Sequence, residues 1–155
     1  MRKSQSSENS SNKTALSKGK NNFIEFEEKV RYSETDQMGL AHNKNYFEWF
    51  EIGRTEYCRQ KNIPYKDIEE QGFYLVVVEA FCRYRKPLRY DQKFHIRVFL
   101  ESITPKKVKF AYELVTQKEK ELIASGHTVH LVTNSKSKTC SLPAYIINRL
   151  KAFPS

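Results

Sequence analysis

The chain has 155 residues, of which 39% are hydrophobic and 29% charged, with a formal charge of +9, so it can bury a core without disulfide or metal staples. No apolar run reaches the roughly 18 residues of a spanning helix, and the basic N-terminus lacks the apolar segment of a secretory signal. Cys58, Cys82 and Cys140 have no close pair spacing, which argues against a disulfide framework or a zinc cluster and makes a reducing, cytoplasmic setting the default.

Residues 1–22 carry Arg2, Lys3, Lys13, Lys18 and Lys20 against Glu8, among Ser and Asn. Such a segment cannot repay the entropy of ordering. It is expected to be a disordered basic tail before one domain, 23–155, and its acid-poor composition leaves organelle targeting open. The +5 on the domain would attract polyanions, either RNA or a phosphate-bearing molecule such as coenzyme A. Charge does not separate the two.

FIEFEEKVRYSE (23–34) reads as a strand. The polar run TDQMGLAHN follows as a loop. From Lys44, the residues Tyr46, Trp49/Phe50, Gly53 and Tyr57 recur at helical spacing, and Glu51 and Arg54 lie close enough to face each other. This helix should end near Lys61, because Pro64 turns Ile63 away from helical dihedrals. Ile63 to Gly72 reads as a loop or short helix. Four strands follow, over 73–87, 94–103, 108–116 and 121–133. SLPAYIINRL ends the chain as a short helix or irregular tail. One helix of about 27 Å among antiparallel strands suits an α+β architecture in which the sheet wraps the helix. Strands 73–87 and 94–103 are apolar on both faces, so a second subunit is expected to cover one of them.

VRYSETDQMGLAHNKNYFEWFEIGRTEY, followed by PLRYDQ, resembles the 4-hydroxybenzoyl-CoA thioesterase-like branch of the hotdog-fold acyl-CoA thioesterases. The likeness rests on Tyr32, Thr35-Asp36, Gly39, Tyr46, Phe50-Glu51, Arg54, Tyr84, Pro87 and Tyr90-Asp91, and covers roughly residues 28–143. It implies the hotdog fold, homodimers or homotetramers with sites between subunits, and hydrolysis of an acyl-CoA without a metal or cofactor. The HN pair is also similar to an element of acyl-ACP thioesterases, so an acyl-ACP substrate is the alternative.

Thioester hydrolysis needs a carboxylate to attack, or to activate water, and donors for the oxyanion. Free N–H groups at a helix start can supply those donors. By resemblance Asp36 is the catalytic acid, and the main-chain N–H of Asn43 the oxyanion donor, with Gly39 shaping the turn. Familiar bacterial members have histidine seven residues after the aspartate; here His42 stands at six and Asn43 at seven. His42 is thus either a substrate-orienting residue or a packed, hydrogen-bonded one. Tyr46 and Gly39 are assigned to substrate contact, and the Arg85, Lys86 and Arg89 cluster to coenzyme A phosphates.

The bland readings are an Asx turn for Asp36, a solvated acid for Glu34, a loop pin for Asn45, a structural pair for Glu51–Arg54 and inert packing for Cys58 and Cys82. His127 and His130 fall on opposite faces of one strand, which is poor metal geometry, and His95 is isolated. Leu75–Val78 and Phe81 suggest an apolar tunnel wall. Two other functions compete. One is RNA binding, disfavoured because the aromatics occupy core phases rather than a stacking surface. The other is acyl binding without turnover.

Overall fold

The computed structural model describes residues 23–152; the expected tail, 1–22, lies outside them. Strand β1 (Phe23–Lys29) leads through a 3-10 turn (Tyr32–Glu34) and a loop into helix α1 (Lys44–Gln60). A six-residue helix α2 (Tyr65–Glu70) precedes β2 (Tyr74–Tyr84), β3 (Lys93–Thr104), β4 (Lys107–Thr116) and β5 (Leu122–Thr133), and α3 (Ala144–Lys151) closes the chain. The first strand is shorter than its pattern predicts. Glu34 accepts the Arg31 N–H at 2.8 Å and closes a tight turn where the alternation would continue.

All five strands form one antiparallel sheet in the order β1-β3-β4-β5-β2. The sheet curves around α1 as a hotdog fold. Tyr46, Trp49, Phe50, Gly53 and Tyr57 are the buried face of the helix. Phe50 stacks on Tyr112 at 4.3 Å, and Trp49 lies 4.8 Å from Phe94.

Two glycines let helix and sheet approach this closely. A Cβ at Gly53 would stand 2.8 Å from Val98 Cγ2, and one at Gly126 would stand 2.2 Å from the Phe81 carbonyl and 2.7 Å from the Phe50 ring. At the far end α3 clamps α1: the Tyr57 hydroxyl donates to the Leu150 carbonyl at 2.8 Å, and Lys61 donates to the Ala152 carbonyl.

β2 is an edge strand with a bulge at Val77/Glu79. Val76, Val77, Val78 and Phe81 on it are 43–52% exposed. By contrast Val98 and Phe99 on β3 are buried, so the apolar surplus predicted for both strands is open only on β2.

His95, expected to be isolated, belongs to a cluster on the outer face. Glu25 accepts from Lys120 (2.6 Å) and Arg97 (2.8 Å) and meets His95 Nδ1 at 2.6 Å. Partial burial disfavours the Glu25 charge, but the hydrogen bonds from Lys120, Arg97 and His95 outweigh it and bring its pKa down to about 2.

Gly126→Ala should destabilise the fold by at least about 1–3 kcal/mol, since the new methyl meets backbone; the readout is a lower denaturation midpoint at unchanged m. The Glu25 pKa is depressed on folding, so its stabilisation is full above the ordinary carboxylate range and is lost as pH falls from there toward about 2. Glu25→Gln should therefore flatten the acid side of the stability–pH curve across that window, and an unchanged slope would remove the cluster as the cause.

Candidate active site

The loop between the 3-10 turn and α1 is organised by Asp36. Its Oδ1 accepts the N–H groups of Met38 (2.8 Å) and Leu40 (3.0 Å). Its own N–H donates to the Leu40 carbonyl at 2.8 Å, and the Gly39 N–H donates to the Asp36 carbonyl at 3.0 Å. Gly39 sits at φ +79°, where a side chain would be strained.

This small turn is fastened on both sides. Thr35 bridges Ala41, and Leu40 bridges Arg89. Ala41 N–H donates to the Leu88 carbonyl and Tyr90 N–H to the Gly39 carbonyl, at 2.8 and 2.9 Å.

The Asx-turn role of Asp36 is thus real, and it uses one oxygen. Oδ2 has no hydrogen-bond partner among the described residues. The exposed carboxyl is held below its usual pKa, chiefly by the Leu40 N–H and further by the Met38 N–H and nearby His42. At neutral pH it is a fixed, ionised carboxylate with one open oxygen.

Asn45 pins the turn to the helix. It is buried, and its amide donates to the carbonyls of Glu34 (2.6 Å) and His42 (3.2 Å). The amide does not reach Asp36. Glu34 is a correction: rather than a solvated acid, it is 8% exposed and paired with Arg31 at 3.3 Å.

Asn43 enters the helix at φ −58°, ψ −34°, and its side chain makes no capping bond. Among the described residues no acceptor meets the N–H of Asn43 or Lys44, as expected for the first donors of a helix.

His42 is exposed and has no side-chain hydrogen bond among the described residues, so the packed alternative is not what the structure holds. It lines a hollow of about 440 Å³ with Tyr32, Ser33, Thr35, Asp36 and Gln37.

The remaining expected residues separate. Arg89 is joined to the loop through Leu40. Arg85 is exposed on the same connection, whereas the Lys86 ammonium is taken by Glu121 at 2.6 Å. Tyr46 does not offer a substrate contact: it is 3% exposed, wedged against Trp49 and Tyr84 at 5.1 and 4.8 Å.

Tyr32 was not assigned to the site from sequence, yet it lines the hollow and is 78% exposed. The available signal was its place among the residues that carry the resemblance, while strand periodicity assigned it to β1.

A second chamber, of about 350 Å³, lies between α1, α2 and β2 and is lined by Glu51, Arg54, Cys58, Tyr65, Leu75 and Val77, among others. Leu75 and Val77 are therefore walls, Val77 being exposed as well, while Val76, Val78 and Phe81 are exposed without lining the chamber. No ion pair within 4 Å joins Glu51 to Arg54. Arg54 donates to the Tyr112 hydroxyl at 3.3 Å instead, and Tyr112 continues to Thr128 and buried His130.

Burial pushes the His130 pKa down to about 4 and that of Cys58 up to about 12, so neither offers an imidazolium or a thiolate at neutral pH. His127 stands apart, paired with Glu79 at 2.6 Å.

Comparison with known proteins agrees with the fold. Residues 30–150 match the model of the thioesterase-like superfamily. A candidate esterase of Aquifex aeolicus is 32% identical over 126 residues, covering 81% of this chain and 96% of that protein. A candidate acyl-CoA thioesterase of Bacillus subtilis is 32% identical over 108 residues, covering 70% and 78%. The crystal structure of a DHNA-CoA thioesterase of Staphylococcus aureus superposes with a TM-score of 0.75 at 28% identity, covering 81% and 85%. These likenesses reach across the wider group rather than to the 4-hydroxybenzoyl-CoA branch alone. The chain belongs to the thioesterase-like superfamily and is a thioester hydrolase of the hotdog fold.

Proposed function

We propose that the chain is an acyl-CoA thioesterase of the 4-hydroxybenzoyl-CoA thioesterase-like branch, with Asp36 as its catalytic carboxylate and the Asn43 N–H as its oxyanion donor. The observation that carries this reading is the division of labour within Asp36. One oxygen holds the loop through two N–H bonds, and the other has no partner among the described residues, on the loop that leads into the open start of α1.

In the reaction, Oδ2 attacks the thioester carbonyl directly or takes a proton from the attacking water. Negative charge grows on the carbonyl oxygen, and an N–H that needs no reorganisation stabilises it. The tetrahedral intermediate collapses by expelling the coenzyme A thiolate, a good leaving group; where Oδ2 is the nucleophile, water then cleaves the mixed anhydride, so both routes end in the free acid and an ionised Asp36. Arg85 and Arg89 are the cations assigned to its phosphates; Lys86, already paired with Glu121, contributes less.

An acyl-ACP thioester presents the same carbonyl, and acyl-ACP thioesterases of Arabidopsis thaliana are among the relatives, one of them 24% identical over 136 residues. Among the described residues the guanidinium groups of Arg85 and Arg89 have no partner, and two free cations suit the several phosphates of coenzyme A better than the single phosphodiester of a carrier-protein arm.

We further propose a homodimer through β2. Its free edge carries the exposed Val76, Val77 and Val78, and an unpaired apolar edge strand invites pairing with its own copy.

Asp36→Asn should lower kcat/KM by about 10²–10⁴-fold while keeping the melting temperature, because an amide oxygen can still accept from Met38 and Leu40. Near-wild-type turnover in that variant would sink the role of Asp36. Because the Asp36 pKa is depressed, the ionised form persists below the ordinary carboxylate range, so kcat/KM should show no acid limb between about pH 8 and 5. Val76→Lys with Val78→Lys should convert the dimer to monomer in light scattering, and an unchanged mass would place the interface elsewhere.

A further inference from the structure

We propose that Tyr32 and Tyr90 form an aromatic platform at the rim of the Asp36 hollow that takes the adenine base of the coenzyme A substrate; this rests on the acyl-CoA reading above. The two rings are 78% and 53% exposed, and they adjoin each other with centroids 5.7 Å apart at 84°. An edge-to-face pair engages at most one face of one ring. The remaining faces are open for stacking, and a purine offers a matching π-face.

The rings are free, but the backbone beneath them is fixed. Thr35 donates to the Tyr32 carbonyl from its N–H at 3.1 Å and its hydroxyl at 2.7 Å. Buried Glu34 closes the same turn. Tyr90 is tied to the Asp36 turn through Gly39. Holding the platform in place therefore costs little further entropy on binding.

Continuity with the chemistry is direct, since Tyr32 shares its hollow with Asp36 and His42. Charge around the platform also suits a nucleotide. Arg89 precedes Tyr90, and its guanidinium has no partner among the described residues. Arg31 precedes Tyr32 and pairs with Glu28 and Glu34. Asp91, the acid beside Tyr90, is already countered by Lys29 at 3.1 Å.

The test compares two forms of whichever thioester the wild-type protein cleaves best among short, long and aromatic acyl groups: the coenzyme A thioester and the pantetheine thioester, which lacks the nucleotide. Tyr32→Ala and Tyr90→Ala should each raise KM for the coenzyme A form about tenfold more than for the pantetheine form and keep the melting temperature. Tyr32→Trp should restore KM.

Equal effects on both thioesters, or none on the coenzyme A form, would overturn the platform. So would a loss confined to thioesters on an acyl carrier protein. Calorimetry with adenosine 3′,5′-bisphosphate reads the platform without turnover: binding that Tyr32→Ala weakens supports it even if no thioester is cleaved, and no binding to wild type overturns it. Absence of hydrolysis of every thioester would count against the proposed function alone.

Discussion

The contact on which the structure depends is the close approach of α1 to the concave face of the sheet. Gly53 removes a side chain where Val98 presses against the helix, and Gly126 does the same beneath Phe50. Phe50 can then lie flat on Tyr112, and Trp49 and Tyr57 fill the space to either side. A helix held this rigidly has a fixed N-terminus, and a fixed N-terminus is what makes its first N–H groups a usable electrostatic device. Packing at the middle of the helix thus sets the geometry at its mouth.

The loop that meets this mouth is built from main-chain bonds together with the two N–H groups that the Asp36 carboxylate accepts. Asp36, Gly39, Leu40 and Ala41 bond to one another and to residues 88–90, while Asn45 fastens two carbonyls of the loop from the first turn of the helix. The same N–H groups that order the turn keep Asp36 ionised. The structural role of this residue therefore does not compete with the chemical one proposed for it, because it occupies only one of the two oxygens.

How much could be read from the residues follows from the range of the forces involved. The helix was legible because Tyr46, Trp49, Phe50, Gly53 and Tyr57 repeat with its period, and the strands because alternation is local. The Asp36–Gly39 turn was legible as an Asx and glycine pattern. Glu34 was not, since its burial depends on Arg31 folding back over a turn that strand periodicity hid. His95 reads as solitary in the chain, yet the β1–β3 register brings Glu25 and Glu27 beside it and the β4–β5 turn delivers Lys120. Arg54 chose Tyr112, 58 residues away, over Glu51 three residues away. Each of these was decided by tertiary register rather than spacing.

The resemblance implies a histidine where this chain has Asn43, and this construction accommodates the difference. If the carboxylate is oriented by backbone, and the oxyanion donor is itself backbone, the identity of the side chain at 43 can change without loss of either group. The side chains free to vary are then those that face the hollow and the chamber, among them His42, Tyr32 and Val77. On the proposed mechanism, selection among acyl groups and carriers belongs to those walls rather than to the loop.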